Sequence, residues 1–372
     1  MMKRKSTCIL FFFSFLLFAC GKSPEIAGYG QARGFSLEKD REGRVTGAQI
    51  LADGQLFTYE FCERGEALSA RLNDDLCFRV SVPQKRVAVC TSTMLVLLDE
   101  IGESDAVVGM DGDYTTVPAF REKIERGEIA FLADGMVLDR EKLAALRPEV
   151  VFFSPAAGDR SELRKILDCG AIPVPIEDWR EPEILGRTRW AELEAAFFGK
   201  ADAAADLFRE TERRYRELAG AVSAEGCRPR VLFHLPVNGL WRMPSAGSFT
   251  ASAVRDAGGD YPMSDSASET VLLDLETVFA RFSDAAVWLI HAGTYPDRKA
   301  FVGAALSAFG DPRLTSFLPL KTARIAVNDR MLDGRGFNGF YDYSPLHPDW
   351  LLEDLKAILN GGEPVRFYRI LK

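Results

Sequence analysis

Histidine is scarce in this chain, and its three copies, His234, His291 and His347, are scattered along the sequence. An enzyme that uses general acid–base catalysis needs a histidine, a carboxylate or a similar group within hydrogen-bond reach of the reacting atom, and the acidic pairs of this chain mark helix starts rather than cleft loops. The sequence also lacks a nucleophile-elbow pattern and a glycine-rich pattern that cradles phosphate. These residue types favour a binding protein over an enzyme. They also argue against a site that holds a bare metal ion through several histidines and carboxylates.

Cysteine spacing matches no zinc pattern. Five cysteines follow Cys20, an odd number that cannot pair completely. A chain of this length does not need disulfides to hold its core. Cys62 and Cys77 form the one pairing that we consider, within the N-terminal region. The remaining thiols are expected to be buried.

Carboxylates mark a segment that occurs twice in the chain without a gap. The acids of the two copies are Asp139, Glu141 and Glu149, and Asp274, Glu276 and Asp284. Each copy has the pattern of a short amphipathic helix, an acid-marked turn and a buried strand. Repeated αβ units predict two similar α/β lobes, and ligands of such proteins tend to sit where domains meet.

The N-terminus has the features of an export signal. A basic stretch at residues 3–5 precedes an apolar run at residues 9–18, which is too short to be a permanent membrane span. The following Ala19-Cys20-Gly21 resembles a bacterial lipobox. We therefore expect residues 1–19 to be a lipoprotein signal peptide and a lipid on Cys20 to hold the protein to a membrane. In the alternative, the leader is an ordinary signal peptide and Cys20 has no role.

Composition is that of a globular body outside the leader. The chain is 47% hydrophobic and 27% charged, and its net charge of −8 argues against nucleic-acid binding. No second apolar run reaches the length of a membrane span.

The order of the predicted elements divides the chain into successive regions. We predict an α/β protein whose two αβ lobes have central, mostly parallel sheets and are joined by one long rigid helix. The predicted regions are a tether (20–33), a small β appendage (34–82), an N-terminal lobe (83–189), the connecting helix (190–224) and a C-terminal lobe (225–372).

Together these features resemble a class III substrate-binding lipoprotein of an ABC importer, a family that carries ferric siderophores, haem and cobalamin. Residues 143–151 (LAALRPEVV), 256–261 (DAGGDY) and 347–359 (HPDWLLEDLKAIL) are similar to family segments in order and spacing. The resemblance covers residues 82–361 and does not explain the β appendage. It implies a monomer that works with a permease dimer and its ATPase subunits.

The resemblance also assigns a role to two acids of the repeat. Glu141 and Glu276 match the exposed carboxylates, one on each lobe, that dock onto basic pockets of the permease subunits. Separated charges on rigid lobes fix orientation and guide encounter. Both residues are also first-turn helix acids, which stabilise a helix N-terminus without any partner.

In the family, the ligand lies between the lobes, against loops that follow the carboxyl ends of the strands. The loop residues predicted to contact it are Thr91, Ser92, Tyr114, Trp179, Arg180, Trp241, Met243, His291, Tyr295, Arg335, Asn338, Phe340 and Tyr341. Aromatic rings suit the flat face of a macrocycle or catecholate chelate, and arginines suit its anionic groups. Trp241 is the strongest candidate and Trp179 the next.

The identity of the chelate stays open at this stage. A haem would take an axial ligand from His291, Tyr295 or Tyr114, whereas cobalamin and siderophores bring a metal that is already ligated. We therefore predict no cofactor and no metal site of the protein itself. The alternatives are an enzyme with a chelatase-like fold, a binder of a small molecule that is not a chelate, and a binder of elemental metal.

Overall fold

The computed structural model describes residues 32–372, apart from 66–69, 72–75, 135–136, 156–159, 221–227, 238, 266–269, 292 and 310–311. The predicted lipidation site Cys20 and the signal peptide lie outside the described residues. Among the described residues, no helix has the length and apolar composition that a membrane span requires.

The predicted β appendage is a twisted sheet with strand order β1-β2-β3-β5-β4. Its strands are β1 (Phe35–Lys39), β2 (Val45–Ala52), β3 (Gln55–Glu63), β4 (Ala70–Arg71) and β5 (Cys77–Val82). All neighbours are antiparallel except β3 and β5, which run parallel. Apolar side chains alternate along β2 and β3, so that one face of the sheet is buried.

The appendage packs on the N-terminal lobe and shares its core. The hydroxyl of Tyr59 donates to the carbonyl oxygen of Pro173 at 2.7 Å, and its ring meets Phe197 edge-on at 5.2 Å. Nearby, the carboxylate of Glu181 accepts from the backbone N–H groups of Arg33 and Gly34. The appendage is therefore fixed to the lobe by buried contacts and is not a loosely tethered module.

The considered disulfide between Cys62 and Cys77 is absent, because both are free thiols. The register of the parallel pair explains this result. Cys62 lies opposite Ser81, and Cys77 lies opposite Thr58, which is four residues away along the same strand as Cys62. Their Cα atoms are therefore too far apart for an S–S bond.

The N-terminal lobe is built on a parallel sheet with strand order β12-β11-β6-β7-β8. The strands of this sheet are β6 (Val87–Cys90), β7 (Val107–Met110), β8 (Ala130–Phe131), β11 (Val150–Phe153) and β12 (Ile172–Pro175). A separate antiparallel pair is formed by β9 (Ala133–Asp134) and β10 (Val137–Leu138). The helices of the lobe are α1 (Leu95–Glu100), α2 (Pro118–Glu125), α3 (Arg140–Leu146) and α4 (Ser161–Asp168). Strands β11 and β12 are buried on both faces, as their uninterrupted apolar sequences predict.

The connection between the lobes differs from the single helix predicted over 190–224. The chain forms α5 (Ile184–Thr188), α6 (Trp190–Ala196) and α7 (Ala201–Gly220). Gly199 has a φ of +67° in the turn between α6 and α7, and these two helices pack against each other. Only α7 is long, at roughly 30 Å.

Burial shows that the chain crosses between the lobes more than once. Ile184 and Leu185 of α5 belong to the core of the C-terminal lobe, although the sequence placed them in the N-terminal lobe. Trp190 of α6 returns to the N-terminal core. Along α7, Ala204 is buried in the N-terminal core and Phe208, one turn later, in the C-terminal core.

The C-terminal lobe has a second sheet, with strand order β13-β17-β18-β19, and a small antiparallel sheet, β14-β15-β16. The strands are β13 (Val231–Phe233), β14 (Pro236–Val237), β15 (Leu240–Pro244), β16 (Thr270–Leu273), β17 (Val287–Ile290), β18 (Arg324–Val327) and β19 (Arg369–Ile370). The helices are α8 (Phe249–Asp256), α9 (Leu275–Phe282), α10 (Arg298–Phe309), α11 (Pro319–Thr322), α12 (Phe340–Tyr343) and α13 (Pro348–Leu359). The α/β class, the two lobes and their mostly parallel sheets agree with the prediction.

The two copies of the repeat fold alike. Asp139 caps α3 by accepting from the N–H of Glu141 at 2.8 Å, and Asp274 caps α9 by accepting from the N–H of Thr277 at 2.8 Å. Each helix is then followed by a fully buried strand, β11 in one lobe and β17 in the other. The repeated acids thus mark the same structural position in the two lobes.

An arginine just before the first strand of each lobe completes the correspondence. Arg86 donates to the carbonyl oxygen of Leu146 at 2.8 Å, and Arg230 donates to that of Arg281 at 3.1 Å. Leu146 and Arg281 occupy the same position in the two copies of the repeat. A cation at a helix C-terminus satisfies a carbonyl group that the helix itself leaves unpaired.

Candidate functional site

The two lobes touch through the loop that follows β18, which carries Arg335. Arg335 donates from Nη1 to Oδ1 of Asp113 and from Nη2 to the carbonyl oxygen of Thr115, both at 2.8 Å. Asp333 orients the guanidinium by accepting from Nε at 2.9 Å. The structure therefore brings the loop that carries the predicted ligand residue Arg335 against the loop that follows β7 of the N-terminal lobe.

Asp342, which the sequence analysis did not select, makes the second contact between the lobes. Its Oδ2 accepts from the backbone N–H of Thr116 at 2.8 Å and from its hydroxyl at 2.7 Å. Only 2% of Asp342 is exposed, and this burial raises its pKa against the opposing effect of the hydrogen bonds. We call the contacts of Arg335 and Asp342 with residues 113–116 the interlobe bridge.

A glycine allows the lobes to approach at this point. A Cβ atom on Gly339 would lie 2.8 Å from the hydroxyl oxygen of Thr116 and 3.2 Å from Cβ of Met331. The first distance is shorter than Cβ atoms adopt, so a side chain at this position would force Thr116 to shift. Gly339 therefore serves close backbone approach rather than flexibility.

Three predicted residues of the N-terminal lobe lie beside the interlobe bridge. Thr91 and Ser92 follow β6, and the turn Ser92–Met94 packs against α12 of the C-terminal lobe. The hydroxyl of Thr91 lies 3.0 Å from that of Thr93. Tyr114, which is half-buried, stands between two bridge residues, and its ring lies over Gly112.

Trp179 and Arg180 form a turn after β12. The guanidinium of Arg180 lies 4.6 Å from the ring centre of Trp179 and 3.1 Å from a carboxylate oxygen of Glu177. The adjacent Asp178 is buried and pairs at 2.7 Å with Arg187 of α5, whose guanidinium covers the ring of Phe249 in the other lobe. This turn is a further point where the lobes meet.

Trp241 and Met243 are wrongly predicted as cleft-loop residues. Both lie on β15 with at most 1% exposure. The indole N–H of Trp241 donates to the carbonyl oxygen of Phe233 at 2.7 Å, and its ring packs against Trp288. The chain turns back after β13 as a hairpin, so these side chains fill the core of the C-terminal lobe.

His234 is held in an unusual backbone conformation at the end of β13. Its φ is +56°, which is uncommon for a residue with a side chain. Its carbonyl oxygen accepts from the indole N–H groups of Trp288 at 2.7 Å and Trp241 at 3.2 Å. Burial lowers the pKa of His234 to about 4. Nothing in the sequence pattern signals this conformation, because residue 234 simply continues an apolar run.

His291 follows β17, the neighbouring strand, and its ring meets that of His234 at 5.2 Å. Its Nε2 lies 2.6 Å from the hydroxyl of Tyr368, and Phe340 packs on it at 5.2 Å. Burial and the nearby His234 lower its pKa well below the ordinary range, so the imidazole is neutral at neutral pH. Among the described residues, no group of three histidine, cysteine or acidic side chains is arranged to hold a metal ion.

Tyr295 and Asn338 make contacts within the C-terminal lobe. The ring of Tyr295 meets Phe301 edge-on at 5.2 Å, and its carbonyl oxygen accepts from Arg369. The amide of Asn338 donates to the carbonyl oxygen of Asn328 at 2.7 Å and accepts from the N–H of Phe340 at 3.0 Å. These contacts give Asn338 a role in shaping the loop that carries the interlobe bridge.

Phe340 and Tyr341 precede Asp342 and form one wall of a cavity in the C-terminal lobe. The cavity has a volume of about 130 Å³. Phe340 is buried, whereas Tyr341 is 48% exposed and its hydroxyl donates to the carbonyl oxygen of His291.

The sequence model of the periplasmic binding proteins matches residues 87–305, which is more than half of the chain. The chain belongs to this family. The resemblance stated from the sequence is therefore confirmed. The β appendage lies before the matched residues of this periplasmic binding protein.

Its sequence is 23% identical over 294 residues to an uncharacterized lipoprotein of Methanocaldococcus jannaschii. The alignment covers 76% of this chain and 66% of the relative. The chain thus spans slightly less than two thirds of that relative's length.

Solved structures share the fold of this periplasmic binding protein at low sequence identity. An ABC transporter substrate-binding protein from Listeria monocytogenes matches with a TM-score of 0.57 and 16% identity, over 75% of this chain and all of the other. A periplasmic haem-binding protein from Vibrio cholerae matches with a TM-score of 0.53 and 16% identity, over 72% and 99% of the two chains.

The two predicted docking acids of this periplasmic binding protein are both exposed, one on each lobe. Glu141 lies in the first turn of α3 and Glu276 in the first turn of α9. Glu276 pairs with Arg313 at 2.8 Å, and this hydrogen bond lowers its pKa. Four positions before each acid is an exposed aliphatic residue at the same position of the repeat. Val137 and Leu272 are each 55% exposed.

Proposed function

We propose that this protein is the substrate-binding component of an ABC importer and that it captures a metal chelate between its two lobes. The observation that carries the proposal is the interlobe bridge, which joins loops at the carboxyl ends of the strands of both lobes. Ligands of α/β proteins bind in such crevices. Family membership and the similarity to an ABC transporter substrate-binding protein from Listeria monocytogenes support the same role.

The chelate is a ferric siderophore, haem or cobalamin. Support for this class comes from Arg335 of the bridge and from the aromatic side chains of Tyr114 and Tyr341 close to it in the chain, which suit a flat anionic ligand. The haem-binding relative from Vibrio cholerae is consistent with it. The protein acts as a carrier without catalysis, and the metal of the chelate is cargo and not a cofactor.

Capture proceeds by a small closing motion. In the closed form Arg335 and Asp342 bind residues 113–116, so a ligand enters only when these contacts separate. Helix α5 packs in the C-terminal core, α6 in the N-terminal core and α7 in both, so the chain crosses between the lobes more than once, which favours modest rotation over a wide hinge. We expect the radius of gyration to differ by only a few per cent between the free and the loaded protein.

Delivery uses Glu141 and Glu276, which dock the two lobes onto the two subunits of a permease dimer. The equal placement of these acids and of Val137 and Leu272 supports a partner with two similar halves. The ion pair of Glu276 with Arg313 is exposed and contributes little free energy, so a basic side chain of the permease can take the place of Arg313. A lipid on Cys20 keeps the exported protein near this partner.

A titration of the purified protein tests the proposal. Haem, cyanocobalamin, a ferric hydroxamate and a ferric catecholate are added separately while tryptophan fluorescence and absorbance are followed. We expect one chelate class to bind saturably at one molecule per protein. A shifted Soret band with haem would indicate an axial ligand such as His291, Tyr295 or Tyr114. Failure of all four chelates to bind would contradict the proposed cargo.

A further inference from the structure

The cavity of the C-terminal lobe is a distinct feature beside the interlobe bridge. It lies between the sheet and helices α5, α8, α12 and α13. Its lining includes six rings, contributed by Phe233, Phe249, His291, Phe340, Tyr341 and Tyr368.

The size of the cavity fits one six-membered ring. An apolar protein cavity of about 150 Å³ stays dry and binds benzene, and the volume here is about 130 Å³. Surrounding rings favour an aromatic guest, because edge-to-face contacts add to the burial of apolar surface.

Two tyrosine hydroxyls of residues in the lining favour a hydroxylated ring. The hydroxyl of Tyr368 lies 2.6 Å from Nε2 of His291, and the hydroxyl of Tyr341 donates to the carbonyl oxygen of the same histidine. Each of these tyrosine oxygens also has lone pairs that accept a hydrogen bond. A phenol or catechol hydroxyl has a partner there, whereas a saturated hydrocarbon has none.

The wall of the cavity is coupled to the contact between the lobes. Phe340 and Tyr341 immediately precede Asp342, whose carboxylate binds Thr116 of the other lobe. Tyr341 is half-exposed, and Phe249 and Thr250 are partly exposed, so the cavity lies close to the surface on this side. When the bridge separates, the segment that covers the cavity loses its attachment to the N-terminal lobe.

We propose that this cavity is a pocket for one hydroxylated aromatic ring and that α12 closes over the ring when the lobes come together. The ring belongs to the cargo, which makes the preferred substrate a chelate that carries phenol or catechol groups. This inference rests on the proposed function for the source of the ring. Binding of an aromatic ring in the pocket does not depend on the proposed function.

Free rings test the pocket without any chelate. The full chain is titrated with catechol, phenol, benzene and cyclohexanol, and binding is followed by the shift of thermal unfolding and by NMR. Catechol and phenol should bind saturably and at least about tenfold more tightly than cyclohexanol. No saturable binding of any aromatic ring would overturn the pocket.

Substitutions at the cavity locate the binding. Ala253, which is 1% exposed, lines the cavity, and A253F places a ring inside it. We expect A253F to weaken catechol binding at least tenfold, while the control L56F, at an exposed site of the appendage, leaves it unchanged. L355A enlarges the cavity and should allow 2-naphthol to bind. This gain of binding tests the cavity even if A253F fails to fold. Catechol binding that is equal in A253F and the original chain would refute the assignment.

Chelates distinguish a ring of the cargo from a free aromatic molecule. A253F should weaken a ferric catecholate at least tenfold and leave a ferric hydroxamate without aromatic rings unaffected. If A253F loses catechol but keeps the ferric catecholate, the pocket serves a free molecule and the claim about the cargo is wrong. If chelates fail to bind while catechol binds, the proposed function fails and the ring pocket remains.

Discussion

The carboxylate of Asp342 accepts both the backbone N–H and the hydroxyl of Thr116, which lies in the opposite lobe. Two hydrogen bonds to one buried oxygen define a single relative position of the lobes. Arg335 adds a second, more exposed contact a few residues away. The closed form is therefore specified by one small group of polar contacts, which single substitutions can test.

Removing the carboxylate of Asp342 should destabilise the closed form. D342A leaves the Thr116 N–H and hydroxyl without their acceptor, which costs roughly 1–3 kcal/mol in that form. We expect the bound chelate to dissociate about tenfold faster or more in stopped-flow displacement. D342N keeps one acceptor oxygen, so its rate of chelate dissociation should lie between those of the original protein and D342A. Dissociation at the original rate in D342A would show that the contact plays no part in closure.

Replacing Arg335 should affect closure more than stability. Its side chain and that of Asp113 are about a third exposed, and exposed ion pairs contribute at most about 1 kcal/mol. R335A should therefore unfold almost like the original protein but release its ligand a few-fold faster. The matched control is R366A, which removes an exposed ion pair with Glu353 inside the C-terminal lobe. Equal effects of R335A and R366A on ligand release would contradict a specific role for Arg335.

Asp111, at the end of β7, should make stability depend on pH. Burial raises its pKa from 3.8 to about 6, and its Oδ1 is buried without a hydrogen-bond partner. Folding therefore favours the neutral acid. This stabilisation is complete below about pH 4 and is lost as the pH rises through about 6.

The variant D111N tests this titration. At pH 7.5 it should be more stable than the original protein by up to about 3 kcal/mol, and at pH 4 the difference should shrink. Urea denaturation at the two pH values measures both quantities. A stability difference that does not change with pH would show that Asp111 has an ordinary pKa.

Trp241 should behave as a core residue. W241A removes a fully buried indole and its hydrogen bond to Phe233, so the free energy of unfolding should fall by about 3–5 kcal/mol. Chelate affinity of the folded fraction should remain close to that of the original protein. W179A, at the half-buried turn after β12, provides the comparison and should unfold more nearly normally. Loss of chelate affinity in W241A with normal stability would restore Trp241 to the binding site.

The elements were largely predictable because their signals are local. Strands β11 and β17 are the buried strands that were predicted at the end of the two copies of the repeat, because short apolar runs bounded by turn residues are a local signal. The repeated acids also predicted two equivalent helices, since a helix cap is a contact between near neighbours. The connecting helix α7 covers only part of the range predicted for it, because the positive φ of Gly199 interrupts the helical conformation between α6 and α7.

The site was less predictable because it depends on contacts between distant residues. Asp342 and Thr116 are 226 positions apart, and neither has a neighbouring pattern that signals the other. Trp241 looked like a cleft residue because an aromatic side chain after a strand has the same sequence signature inside a core hairpin. The positive φ of His234 is imposed by tertiary packing around two indole donors.

Uptake of a labelled chelate by the native cells tests the central claim most directly. Cells that lack this protein should lose import of the chelate that binds in the titration, and the original gene should restore it. The double variant E141K/E276K should bind the chelate normally yet fail to restore import, because both docking carboxylates are reversed in charge. Normal import in cells without the protein would contradict its role as the binding component of the importer.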